Sequence, residues 1–277
     1  MYSRYILEGE VFTGFSYPAG EWHHRFAGVA IPSGSVIEAH VRDFEGLCRI
    51  VTEDRILRRI GIVVRWFVPY FPFARHDRRN DANDGFELEV AMGMVKELDI
   101  VIADPHSDVA GMLPHIPQSS AFDVFLRHGA VRPGATIAIP DGGATKKALG
   151  WLGKTDNRVI QCRKRRNPQT GKLSDFVIDN DTPDVPVGDV VMLDDICDGG
   201  YTFTELGKMF REEHGATSLR LCVTHGLMTK GLDVLTDVFD CVFYFRQSVL
   251  AGGVIGDVPR GVTAIDFKEL YDEGVVI

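Results

Sequence analysis

The sequence predicts an α/β protein built from mainly parallel sheets flanked by helices, divided into two domains. Three observations carry this. Short apolar runs alternate with amphipathic helical stretches along the whole chain, the order that places helices on the faces of a parallel sheet. Most of the apolar runs stop at an acid, a histidine or a glycine-rich turn, and ligands of such sheets bind beyond the carboxyl ends of the strands. Finally, 277 residues are many for one domain and comfortable for two.

Taken in order, the expected strands are IGIVVRWFVPY (60–70), DIVIAD (99–104), ATIAIPD (135–141), DFVID (175–179), DVVMLDD (189–195) and SLRLCVTHG (218–226). Each is β-branched or otherwise apolar, at strand length. Helices are expected over ELEVAMGMVKEL (87–98), KKALGWLG (146–153) and TFTELGKMFREEH (202–214). The last carries Phe203, Leu206, Met209 and Phe210 on one face, with Thr202 as its cap and Gly215 beyond its end. Pro133 and Gly134 break the pattern, so the boundary is drawn there, giving domains 1–133 and 134–277. The segment RKRRNPQTGKLSD (163–175), with four consecutive cations, reads as a mobile loop.

Composition narrows the partners. A net charge of −9 argues against a broad nucleic-acid footprint and against an anionic membrane surface. No stretch approaches the ~20 apolar residues of a membrane span, and the N-terminus has no signal-peptide run. The five cysteines are widely spaced and form no CxxC pair, which fits a reducing cytoplasm rather than a disulfide framework.

The chemistry concentrates in VVMLDDICDGGYTF (190–203), where a buried run ends in adjacent carboxylates and a glycine loop. A calcium loop is excluded, because Ile196 stands where an oxygen ligand is needed. A solvated turn is the plain reading. A sugar-phosphate cradle is the sharper one: two carboxylates can accept both ribose hydroxyls, and loop amides can hold a phosphate. Further candidates follow other strands: ARHDRRND, DPHSD, PDGGATKK and THG.

The 190–203 segment resembles the acid-acid-x-x-D-T-x-G-T loop of the phosphoribosyltransferase superfamily. Other stretches resemble motifs of ribose-phosphate pyrophosphokinases, in the same order. VPYFPFARHDRR is similar to PYFPYARQDR, YPAGEWHHRF to the FPDGE loop, and DPHSDVAG to DLHSxQxxG. IPDGGATKKA is similar to SPDxGGxxRA, CRKRRNPQTG to the KRR loop, and GATSLRLCVTHGLMTKG to GAxxVxxxxTHGxFSG.

The resemblance implies two phosphoribosyltransferase-type domains with an active site between them. The implied reaction is diphosphate transfer from ATP to the anomeric hydroxyl of a ribose-5-phosphate moiety, with AMP released. It implies Asp194 and Asp195 at the ribose hydroxyls, and Asp198, Gly199, Gly200, Tyr201 and Thr202 at the 5′-phosphate. Lys164 and Arg166 would be catalytic, stabilising the transferring phosphoryl group. His106 and Asp141 would hold Mg²⁺, with Gly142 and Gly143 offering amides to a diphosphate. Arg75, His76 and Asp77 would bind ATP, as would Tyr17 and Glu21, the last two from a neighbouring subunit of a homo-oligomer.

The chain departs from these patterns in ways that bear on the acceptor. Gly199 replaces the threonine, Tyr201 replaces a glycine, Ala19 replaces the FPDGE acid and His76 replaces the ARQD glutamine. Losing a hydroxyl donor to a phosphate dianion costs about 1.5–3 kcal/mol of binding. A loop so altered suits a bridging phosphate, and a tyrosine there can stack on a base. The chain thus resembles divergent phage-type relatives that act on ADP-ribose in NAD⁺ rebuilding. A glycosyl-transferring phosphoribosyltransferase and a non-catalytic regulatory relative remain alternatives.

Overall fold

A computed structural model describes residues 2–3, 12–26, 28, 30–79, 81–166, 173–178, 188–246 and 259–274. The chain divides into two compact units, Met1–Ile116 and Pro117–Ile277.

The first unit contains β1 (Tyr2–Ser3), β2 (Phe12–Ser16), β3 (Trp22–Phe26), β4 (Ser35–Glu38), α1 (Phe44–Arg59), β5 (Val64–Val68), α2 (Glu87–Val95), β6 (Ile100–Ala103) and β7 (His115–Ile116). Its main sheet runs β1-β4-β5-β6-β7, all parallel, while β2 and β3 form a separate antiparallel hairpin. The short runs SVIE, VRWFV and IVIA are buried almost throughout, as strands covered on both faces must be. Helix α1 starts at Asp43, whose carboxylate accepts from the Gly46 amide. It buries Leu47, Ile50 and Leu57, and with them two acids, Glu53 and Asp54. Asp54 is satisfied: it accepts from Trp66 Nε1 at 3.1 Å and from Arg58 Nε at 2.5 Å.

The second unit contains α3 (Gln118–Arg127), β8 (Thr136–Ile139), α4 (Gly142–Ala148), β9 (Arg158–Arg166), β10 (Leu173–Ile178), β11 (Asp189–Cys197), α5 (Tyr201–Glu212), β12 (Ser218–Gly226), α6 (Asp233–Thr236), β13 (Cys241–Arg246), β14 (Val262–Ile265) and α7 (Phe267–Gly274). Its strand order is β10-β9-β8-β11-β12-β13-β14, parallel except for the β9–β10 pair. Phe203, Leu206, Met209 and Phe210 pack the α5 face into the core, on the side their spacing predicts. Cys162 and Cys197 are buried there, and Cys222 is buried elsewhere in the same unit, all as free thiols. Loss of hydration pushes the first two up to about 12 and raises Cys222 as well, so they pack as small apolar groups.

Several expectations differ from the structure. The division falls at Ile116/Pro117 rather than at Pro133, because α3 is bound into the second unit. Phe122 stacks on Trp151 with ring centroids 4.6 Å apart, and Trp151 Nε1 donates to Gln118 Oε1. His128 Nε2 lies 2.9 Å from Glu269 of α7, and the buried Arg220 donates to the Ala130 carbonyl while pairing with Asp189. The cations 163–166 lie in β9, not in a loop, paired antiparallel with β10. The helix expected at 146–153 begins earlier, at Gly142, and ends at Ala148.

Candidate functional site

In the second unit the candidate residues gather where the central strands end. Strand β11 pairs with β8 only up to Met192↔Ala138, so Asp194 and Asp195 project past that pairing while β12 still flanks them. Strand β9 pairs with β8 up to Gln161↔Ile139, and its backbone continues through Lys164 and Arg166 beyond the end of β8. Asp141 follows β8 directly. The topology thus brings Asp141, Lys164, Arg166, Asp194, Asp195 and the 198–202 loop to one end of one sheet.

The two acids of β11 differ in environment. Asp195 is buried, 5% exposed, and its Oδ2 is 2.5 Å from Lys147 Nζ on α4. Asp194 keeps some contact with solvent, and its Oδ1 accepts from the Asp195 amide at 2.9 Å. Desolvation, then the neighbouring Asp195 and Asp141 carboxylates, pushes the Asp194 carboxyl well above the usual range. A diol donor or a cation arriving here relieves that crowding. The sequence reading did not single out Lys147; no local spacing links a lysine on α4 to an acid on β11.

The loop after β11 is shaped by Gly200, which takes the left-handed φ of +80° and occupies the position before α5. The positive φ is what asks for glycine; a Cβ there would also sit tightly against Leu235 Cδ2, at 3.0 Å. Thr202 does not cap the helix, contrary to expectation: it lies inside the first turn, and the N-cap position is held by Gly200, which has no side chain to cap with. The adjacent β12–α6 loop braces this one. Thr229 Oγ1 donates to Asp198 Oδ1 at 2.6 Å, and the Leu227 and Met228 amides donate to the Cys197 carbonyl. Tyr201 is 62% exposed.

Asp141 caps α4, its Oδ1 accepting from the Gly143 and Ala144 amides at 3.0 and 3.2 Å. Those amides are therefore engaged within the chain, where the resemblance implies at least one turned toward a diphosphate. Among the described residues no three His, Cys, Asp or Glu side chains gather into a ready metal site.

In the first unit, Arg75, His76 and Asp77 follow β5, and His106 follows β6, so both segments sit at the carboxyl end of the same sheet. His76 Nδ1 is 3.1 Å from Glu87 Oε2, and Asp77 pairs with Arg78 at 2.9 Å. Phe73, at φ +62°, stacks on Phe44 and turns the chain just before them. Tyr17 and Glu21 close the β2–β3 hairpin, the Tyr17 amide donating to the Glu21 carbonyl at 2.7 Å. Both side chains are exposed.

Comparison with known proteins follows the same lines. No family model matches the chain. It is 25% identical over 190 residues to a ribose-phosphate pyrophosphokinase of Hyphomonas neptunium, covering 65% of this chain and 59% of that one. With the corresponding protein of Ureaplasma parvum it shares 29% identity over 187 residues, 64% of this chain and 55% of the other. The matched part thus spans less than two thirds of these relatives' length. A crystal structure of phosphoribosylpyrophosphate synthetase from Mycobacterium smegmatis superposes with a TM-score of 0.75 at 18% identity, over 94% of this chain and 87% of that one. The chain therefore has the fold of that phosphoribosylpyrophosphate synthetase and is similar in sequence to the ribose-phosphate pyrophosphokinases.

Proposed function

We propose that this protein is an ATP-dependent pyrophosphokinase, transferring diphosphate from ATP to the anomeric hydroxyl of a ribose-5-phosphate moiety and releasing AMP. The observation that carries this reading is the paired acids Asp194 and Asp195 beside an uncapped helix and a glycine loop, at the sheet end reached by the β9 cations. The anomeric oxygen attacks the β-phosphorus in line with the departing AMP. Such a reaction asks the protein chiefly for positioning and charge neutralisation. Asp194 and Asp195 accept from the ribose hydroxyls, and the 198–202 loop receives the 5′-phosphate. Lys164 and Arg166 neutralise the transferring group. Arg75, His76 and Asp77 serve ATP, and Tyr17 and Glu21 serve it in a neighbouring copy of a homo-oligomer.

The implied ion is Mg²⁺, which retains water and arrives with phosphate oxygens rather than needing a protein cage. His106 and Asp141 are its proposed protein contacts; when bound, the ion neutralises phosphate charge. ADP-ribose is the acceptor we favour. Gly199 supplies no hydroxyl for a terminal phosphate, and the exposed Tyr201 is available to an extended ligand. A cytoplasmic setting belongs to this reading, supported by the free thiols.

The test is to incubate the protein with ATP, Mg²⁺ and either ribose 5-phosphate or ADP-ribose, and to measure AMP. AMP formation faster with ADP-ribose is expected. A hundredfold preference for ribose 5-phosphate would overturn the choice of acceptor, and no AMP with either would overturn the reaction.

A further inference from the structure

We propose that Lys230 is a substrate-binding residue of the 198–202 loop, supplying from the neighbouring β12–α6 loop the phosphate contact that Gly199 lacks. The inference rests on the reading that this loop receives a phosphate of the acceptor. Two departures from the sequence patterns meet here in space. At 199 a side chain is missing where D-T-x-G-T has threonine, and at 230 a lysine stands on the last glycine of THGxFSG. A Cβ added at Gly199 would lie 3.3 Å from Lys230 Cγ and 3.9 Å from Thr229 Oγ1. Gly199 is not among the glycines with left-handed φ, so its backbone does not demand glycine. What glycine provides is room, and the Lys230 stem lies across it.

The backbone around Lys230 is fixed while its side chain is exposed. The Thr229 amide donates to the Asp198 carbonyl at 3.1 Å, and the Thr229 hydroxyl holds the Asp198 carboxylate. The Gly231 amide donates to the Met228 carbonyl at 2.9 Å, closing a turn around Lys230. A lysine rooted there brings a full charge and rotatable donors where a threonine brings one hydroxyl. Both contacts are charge-assisted through the phosphate, and the lysine adds the attraction of a full opposite charge. It also makes little geometric demand, so it serves a bridging phosphate as well as a terminal one. Lys230 is thus a determinant of acceptor breadth, not merely a replacement.

The experiment compares wild type, Lys230→Ala, Lys230→Arg and the double variant Gly199→Thr/Lys230→Gly. Acceptor KM and ATP KM are measured with ribose 5-phosphate and with ADP-ribose, alongside calorimetric titration with each acceptor. Lys230→Ala is expected to weaken both acceptors about tenfold, equivalent to about 1.4 kcal/mol, leaving ATP KM unchanged. Lys230→Arg is expected to stay within about threefold of wild type, and the double variant to recover ribose 5-phosphate but not ADP-ribose. Equal acceptor affinity in wild type and Lys230→Ala overturns the proposal. If acceptor binds, more weakly in Lys230→Ala, but no AMP forms, the reaction falls and Lys230 stands. If neither acceptor binds wild type, both fall.

Discussion

Replacing Glu53 by glutamine should stabilise the first unit, by an amount that depends on pH. Glu53 lies on the buried face of α1, 1% exposed, with no hydrogen-bond partner for Oε2 among the described residues. Its Oε1 is 3.4 Å from His24 Nδ1 of β3. Burial raises the carboxyl from 4.5 to about 8, the Arg49 charge opposing weakly. Burial also lowers His24, with Arg49 and His23 adding to the effect and Glu45 opposing it. At pH 7 both groups are neutral, so their contact is not an ion pair. Below pH 4.5 the carboxyl is protonated in folded and unfolded chains alike, and burial carries no ionisation penalty. Between 4.5 and about 8 the unfolded chain releases its proton while the folded chain keeps it, so stability falls as pH rises. At about 1.4 kcal/mol per pH unit, the penalty is about 3 kcal/mol at pH 7 and about 5 kcal/mol above pH 8. Glutamine keeps the shape and never ionises. Hydrogen exchange of α1 peptides in the full chain, corrected for intrinsic exchange at each pH, reads the local opening free energy. The difference between Glu53→Gln and wild type should grow from near zero at pH 4.5 to several kcal/mol at pH 8.5. Parallel pH profiles for the two proteins would refute the reasoning.

Lys164→Ala and Arg166→Ala should each lower turnover about a hundredfold or more with an unchanged circular dichroism spectrum; near-normal AMP production by the double variant would remove the β9 cations from the mechanism. Asp194→Asn and Asp195→Asn should raise acceptor KM by about ten- to a hundredfold with little change for ATP. Asp195→Asn should also lower stability on urea denaturation, since it replaces the buried carboxylate charge facing Lys147 by a neutral amide. EDTA should abolish AMP formation, and Asp141→Asn should raise the Mg²⁺ concentration needed for half-maximal rate; full activity in EDTA would refute the metal role of Asp141 and His106.

The parts legible in the sequence are those where hydrophobicity alone decides. DVVMLDD and SLRLCVTHG are buried runs too short and β-branched to be anything but central strands, and the α5 stripe declares its inward face. Helix α1 escaped because its buried face carries Glu53 and Asp54, which break the apolar period; the capping Asp43 was the available signal. The β9 cations read as a loop because four charges carry no strand pattern, and only pairing with β10 makes them one. Thr202 looked like a cap by residue type, but the helix begins one residue earlier, after a left-handed glycine. Lys147 and Lys230 were invisible for the same reason: each matters through a residue distant in sequence, Asp195 or Gly199, and only the fold brings them together.

The strand order of the second unit also sets a timetable. Strands β8, β9 and β10 are neighbours in sequence as well as in the sheet, so that edge can assemble from local segments. Strand β11, with Asp194 and Asp195, must then dock on the far side of β8, pairing residue 190 with residue 136. Until it does, β8 presents an unpaired apolar edge. Closing that long loop is the slow kind of step, and an exposed strand edge invites association between chains. The strand bearing the β9 cations is therefore expected to fold ahead of the strand bearing the paired acids. On a ribosome the interval between them is when a nascent chain is most exposed to a neighbour, so slowing synthesis while β8–β10 have left the exit tunnel and β11 is still inside it should raise aggregation more than slowing it once β11 has emerged.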